Sequence, residues 1–422
     1  MLMAPKLVFD STQRFDCRDC PARCCRLPVA VPLNPAEIAR FEAESSWMLD
    51  RLGEEGMGWI RQGVIPTRDV NRVLQCAFLD DDGLCSMQKQ FGHEFLPQTC
   101  QSFPFGFVSN ERGELVAQMS QLCPAIRDGY GSLITVERLR DKLAQKGGAE
   151  RMSKAMATRH GRILSQAQYM RIVQRWIERI DDTRPPLDIL LELYDWTKAF
   201  EDALPGTSEK PDDASVDEVI NRADATKLVR FQLSTSTSME ARVLRMYVLG
   251  GLSYPTRVQQ EHRLDRPTFL QRLRSLWSKT KWALGRGKVD LLYVENPVPL
   301  RRVDVVKRFL SSEKARPISR LMRLVIDRRQ IFRDPRHLME VIMDMAMATV
   351  IISRYARCRA AAEGRFEVDV DDVREGISIA ELTLLGHAAQ RGAGVTLRNT
   401  RRSLIGAREN FLRLLASENE PS

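Results

Sequence analysis

The chain has 422 residues, room for two or three domains with cores of their own, and its 43% hydrophobic and 28% charged content is ordinary for a soluble globular protein. Its 64 basic and 55 acidic residues leave a formal charge of +9 that is scattered along the chain, so an acidic partner is permitted and a nucleic-acid groove is not demanded. Residues 1–10 hold no apolar run long enough for a signal peptide, and the apolar run Met345–Ser353 is too short to cross a bilayer, so the expectation is a cytoplasmic protein with no membrane partner.

Taken in order, Cys17-Arg-Asp-Cys20-Pro-Ala-Arg-Cys24-Cys25 is followed by Leu27 to Pro32, a stretch its prolines hold extended. Asn34, with Pro35 at the first turn and Glu37 three residues on, predicts a capped helix to about Leu52. Ile38, Phe41, Trp47 and Met48 are its candidate buried positions, and Gly53, Gly56 and Gly58 should end it. Residues 76–79 and 84–87 flank Asp80–Gly83 as one hairpin, and residues 103–109 and 114–120 flank Asn110–Gly113 as a second. Between them, His93–Thr99 forms a short helix or loop that delivers Cys100.

Beyond Gly129 the pattern is helical. Helices are predicted at 132–145, 162–181, 186–204, 215–234, 238–252, 267–283, 335–363, 371–390 and 399–417. Leu338, Val341, Ile342, Met345 and Ala348 show the helical spacing best. Residues 205–214 read as a linker or exposed loop, and Pro297–Pro299 as a break. The fold class is therefore mainly α: a cysteine-rich metal-binding domain with short β-hairpins over residues 1–130, then a helical region over 131–422 with breaks near 205–215 and 285–300.

Eight of the nine cysteines, namely Cys17, Cys20, Cys24, Cys25, Cys76, Cys85, Cys100 and Cys123, fall in one quarter of the chain. In a reducing compartment such clustering points to metal ligands rather than disulfides. A Cys-x-x-Cys places two thiolates on one side of a tight turn, whereas vicinal Cys24 and Cys25 diverge and suit different irons of one cluster or two separate metals. Zinc and a four-iron cluster each take four thiolates, so eight candidates mean two centres, or one centre and several spectators. Spacing does not separate iron–sulfur from zinc. The lone Cys358 reads as core packing.

Together these residues carry a resemblance. Cys-x2-Cys-x3-Cys-Cys, then Cys76-Ala-Phe-Leu with Cys85, then Cys100-Gln-Ser-Phe-Pro104 and Leu122-Cys-Pro124, looks like a cysteine-cluster family of zinc- or iron-chelating proteins. Among its long forms the layout resembles the flagellin lysine N-methylases. The likeness covers about Phe15 to Arg127, and past it only length and helical character are similar. It implies S-adenosylmethionine as cofactor, an iron–sulfur cluster of the four-iron type (with zinc as the alternative) on the eight cysteines, Phe103 and Pro104 packed over the centre, and a flagellin-like protein substrate. It transfers no catalytic residue.

The remaining residues leave several alternatives open. No glycine-rich turn follows a strand in a βαβ unit: Gly250-Gly251 follows a helical run and Gly285-Arg-Gly287 sits in a loop, so S-adenosylmethionine would have to bind in another way. The radical-type Cys-x3-Cys-x2-Cys triplet is not present. His93 alone of five histidines lies in the cysteine window, where it reads first as a surface residue and second as a ligand or proton carrier. Tyr169, Tyr194, Tyr247, Tyr254 and Tyr293 are candidate acid–base groups whose ordinary role is core packing. Three functions follow in order: a protein lysine N-methylase, a non-enzymatic iron–sulfur or zinc protein for redox or metal handling, and a nucleic-acid-binding zinc protein.

Overall fold

The computed structural model describes residues 6–17, 22–27, 31–70, 73–109, 114–151, 156–204, 211–225, 239–250, 252, 269–327, 337–385 and 408–418. Among them the chain is mainly helical with small sheets. Helix starts follow local capping chemistry. Asn34 accepts a bond from the Glu37 amide at 3.0 Å, and the Glu37 carboxylate accepts one from the Asn34 amide at 2.8 Å. Ser165 with Gln168 and Asp369 with Asp372 build the same reciprocal box before Gln166–Arg179 and Val370–Ala380.

The first helix differs from expectation. It runs over Pro35–Ala43, breaks at Glu44 and resumes as Ser45–Arg61, so the glycines do not end it. Gly53 instead adopts φ 67 and kinks the second helix, a conformation that glycine enters without steric penalty. Phe41 and Met48 are fully buried, whereas Ile38 and Trp47 are half-buried.

The second expected hairpin is present. Phe105–Ser109 pairs antiparallel with Leu115–Met119, and Leu7–Val8 and Glu150–Arg151 add parallel edges to make four strands. Its turn, 110–113, lies outside the described residues. The first hairpin is corrected. Cys76 ends the strand Val73–Cys76, whose partner is Thr67–Val70, and around Asp80–Gly83 only Leu79 and Cys85 bridge. Ser86–Phe91 coils into a helix because Met87 and Phe91, one turn apart, reach the same small core.

Farther on, the expected helices occur as Val136–Gln145, Gln166–Arg179, Pro186–Ala203, Asp213–Ala225, Met239–Leu249, Phe269–Leu284, Leu338–Ala362, Val370–Ala380 and Arg408–Ala416. Residues 132–133 are instead a strand against Arg14–Phe15. The expected extensions over 226–234, 386–390 and 399–407, and the loop 205–210, lie outside the described residues. Leu300–Val305 and Arg316–Asp327 are helices that the periodicity did not announce.

Among the described residues, apolar side chains gather in three clusters. One, with Phe41, Met48, Met57, Phe78 and Met87, fills the space under the first helices. Another, with Phe15, Phe107, Met119, Ile126 and Leu139, backs the hairpin. The third and largest surrounds Leu338–Ala362, 25 residues that are buried on every face. At Gly376 a Cβ would lie 2.9 Å from the Ile352 carbonyl oxygen, so glycine lets the next helix approach this one closely. Inside the same core, Arg357 meets Glu418 at 3.1 Å and donates to the Val303 carbonyl at 2.7 Å, both ionic side chains being fully buried. None of the described helices is long and apolar enough to cross a membrane.

Candidate functional site

Cys20 lies outside the described residues, and the other seven cysteines of the window occupy short elements. Cys24 and Cys25 sit on the 3-10 turn Arg23–Arg26, entered through Ala22 at φ 53, with their sulfurs 3.9 Å apart. Cys76 ends its strand, Cys85 stands just before Ser86–Phe91, and Cys100 lies within Gln98–Ser102. Cys123 is buried and stands just before Pro124–Asp128. Cys17 is exposed, and its charge bears on Lys142. Cys358 is a core thiol of the central helix, pushed up to about 12 by burial.

Several of these thiols act on one another across long stretches of sequence. Burial pushes Cys76 up to about 12, and the charges of Cys85 and Cys24 add to it. Burial raises Cys100 well above the ordinary thiol value, followed by Cys76, Cys24 and Cys85 and by the Glu37 carboxylate. Cys24 is raised first by its hydrogen bond with Cys25 and then by burial; Cys85 is raised by burial and again by Cys24. Cys24 and Cys100 keep solvent-exposed surface despite this crowding.

Three separate stretches, 23–26, 73–85 and 98–102, thus bring thiols within electrostatic reach of each other. Among the described residues, no three His, Cys, Asp or Glu side chains stand grouped as a metal ion would require. The fit therefore rests on donor chemistry. An all-sulfur set suits zinc or an iron–sulfur centre rather than magnesium or calcium. A metal cation sharing the site would stabilise such thiols as thiolates.

What holds these thiols in place is mostly polar. The Cys100 helix receives the Glu37 carboxylate on the Gln98 amide at 2.6 Å, and Lys142 Nζ donates to the Gln101 carbonyl at 2.7 Å. Glu37 therefore caps two helices at once. The turn between Cys76 and Cys85 closes through the Asp80 amide on the Leu84 carbonyl at 2.9 Å, with Lys89 bridging Asp80 at 2.8 Å and Asp82 at 2.6 Å. The hydrogen bond from Lys89, aided by the charge of Arg51, holds the Asp80 carboxyl below its ordinary value. Phe103 is half-buried against the hairpin cluster, and Pro104 is buried, its carbonyl accepting from the Ser120 amide at 2.9 Å. His93 is exposed; partial burial and then Lys142 lower its pKa.

The Cys24–Cys25 turn also docks on the helical region. Glu375, Ser378 and Glu381, three residues apart, present one helix face to the cysteine window. Glu375 pairs with Arg23 and with Arg127, the latter at 3.0 Å, and Ser378 accepts from Arg127 at 2.8 Å. Glu381 accepts from Ser120 at 2.6 Å and from the Gln121 amide at 2.7 Å. Arg23 lies 3.6 Å over the Tyr293 ring, and the Tyr293 hydroxyl donates to the Arg26 carbonyl. Tyr293 holds φ 59, a left-handed value rare outside glycine.

Beside this junction opens a cleft of about 490 Å³ lined by Arg23, Arg26, Pro124, Arg127, Asp128, Tyr130 and Glu375. A second cavity of about 400 Å³ shares Arg127 and Asp128 and adds Arg316, Arg320 and Arg374. Arg23 and Pro124 place the first cleft next to Cys24 and Cys123 in sequence. Sequence reasoning named Tyr293 only as one of five tyrosines and missed Arg23, Arg127, Glu375 and Glu381. The i, i+3, i+6 spacing of Glu375, Ser378 and Glu381 was the signal that could have found that face. Of the other tyrosines, Tyr169 and Tyr194 are core residues, Tyr247 is half-buried and Tyr254 lies outside the described residues.

Compared with models of protein families, with curated proteins and with solved structures, the chain matches none.

Proposed function

We propose that this protein is a protein lysine N-methylase that uses S-adenosylmethionine and carries an iron–sulfur centre on its cysteine window. What supports the reading is the eight-cysteine pattern the chain shares with the flagellin enzymes, with Cys24 and Cys25 on one 3-10 turn and their sulfurs 3.9 Å apart. The eight cysteines of the window, Cys17, Cys20, Cys24, Cys25, Cys76, Cys85, Cys100 and Cys123, would form the ligand pool of the centre. S-adenosylmethionine supplies the methyl group, and an iron–sulfur centre supplies an electron-transfer site.

The chain's own part is to bind and orient the substrate lysine. The cleft between the cysteine turn and the Glu375 helix face carries Arg23, Arg26 and Arg127 against Asp128 and Glu375, so it is net positive and does not itself select a cationic side chain. Both acids are already paired with Arg127, which fixes the wall in position. A flagellin-like protein is the proposed substrate. Transfer of labelled methyl to such a protein should vanish in Cys24→Ser and in Cys100→Ser; full activity in both variants would end the cluster-dependent reading.

A second reading, a non-enzymatic iron–sulfur or zinc protein, draws on one observation. Gly250 closes the helix Met239–Leu249, and Gly285 and Gly287 join a helix to a two-residue strand, so neither glycine stretch forms a nucleotide-binding turn after a strand. Calorimetry of metal-loaded protein with S-adenosylmethionine separates the readings, since absence of binding favours the second.

A further inference from the structure

The helix Phe269–Leu284 presents apolar side chains to solvent in a pattern no other described element shows. Phe269 is 74% exposed, Leu270 67% and Trp277 64%, and Leu273, Leu276 and Leu284 are exposed as well. At 3.6 residues per turn these six positions fall on one stripe roughly 120° wide. Trp282, on the opposite side, is buried in the main core, so the helix is anchored by its other face. Elsewhere exposed large apolar residues such as Leu84, Val305 and Phe366 are scattered.

Charge frames the stripe. Positions 272 and 279 border it on one side and 274 and 281 on the other, and all four are Arg or Lys. With Arg286 and Lys288 next in the chain, residues 269–288 hold six basic residues and no acidic one. A ridge carrying large apolar and aromatic groups between two basic borders matches an interface that is apolar at depth and anionic at its surface.

We propose that Phe269–Leu284 lies in the plane of an anionic membrane surface, its apolar stripe entering the boundary between headgroups and acyl chains and its basic borders meeting lipid phosphates. Lying on a bilayer is distinct from crossing it, which none of the described helices can do. The charge complementarity selects lipid over a second copy of this chain, because two such helices would bring basic borders together.

Co-sedimentation of the full-length protein with vesicles tests this. Vesicles of equal parts phosphatidylglycerol and phosphatidylcholine should retain about tenfold more protein than phosphatidylcholine alone, with retention falling as salt rises. Leu273→Asp with Leu276→Asp should lower retention about tenfold at unchanged circular dichroism, and the milder Leu270→Ser should lower it less. Phe366→Ser, exposed elsewhere, should change nothing. Absent or headgroup-independent binding, or stripe variants that bind like the parent, would overturn the proposal. So would a dimer in solution that the stripe variants abolish, which would assign the stripe to a second copy.

Discussion

The cysteine window and the helical region are built by different means. The helices that carry or directly follow a cysteine are short: Gln98–Ser102 has five residues, Pro124–Asp128 five and Ser86–Phe91 six. Such lengths do not hold in water by themselves, so these turns rest on capping carboxylates, lysine bridges and two small apolar clusters. The helical region rests on area, with a 25-residue helix at its centre and one continuous core about it. Polar ties place thiols at chosen points, and a broad core supplies a rigid wall to place them against. Where the regions meet, Glu375, Ser378 and Glu381 accept the bonds that fix the Cys24–Cys25 turn and the end of the hairpin.

The largest expected effect belongs to the core. Glu418→Ala leaves the buried Arg357 charge without its carboxylate and should cost about 3–5 kcal/mol in urea unfolding, with metal content unchanged in the folded fraction. If the variant lost metal before it lost helix, the two regions would not be separable in this way. Glu37→Ala sharpens the comparison from the other side. It removes the acceptor of the Gln98 and Asn34 amides and should cost about 1.5–3 kcal/mol, with metal retention falling because Cys100 rides on the released helix. Retention equal to the parent would remove Glu37 as a support of the site.

Asn34→Ala keeps the Gln98 bond and loses only the cap, so about 1 kcal/mol of stability and little metal should be lost. The smallest effect concerns acid. The folded Asp80 carboxyl titrates below its ordinary 3.8, so its contribution is present above that value and is lost as pH falls through the lower folded one. Thermal unfolding followed from neutral pH to below 3.8 should show this decline, and Asp80→Asn should lack that component.

Much of this division was legible from sequence because local chemistry announces itself. Asn34, Pro35 and Glu37 gave a helix start, the alternation around 105–119 gave a hairpin, and Leu338, Val341, Ile342, Met345 and Ala348 gave the central helix. The misses have physical causes. Gly53 read as a stop, but a single left-handed residue bends a helix whose following turns still bury Met57 and Ile60. Asp80–Gly83 read as a hairpin turn, but Met87 had a core to reach and pulled its segment into a helix. At the site, the cysteines were visible as a pattern, while Arg23, Arg127 and Glu375 were not. Their meaning lies in pairings across more than 240 residues, such as Arg127 with Glu375 at a separation of 248, so local spacing could mark the Glu375 face but not its partners.

The most direct test of the central claim is iron, zinc and acid-labile sulfide analysis, with a visible spectrum, on protein purified without oxygen. The account predicts a brown protein with iron and sulfide in equal amounts, and loss of both in Cys24→Ser and Cys100→Ser. A colourless protein, whether it binds zinc or no metal, would contradict it.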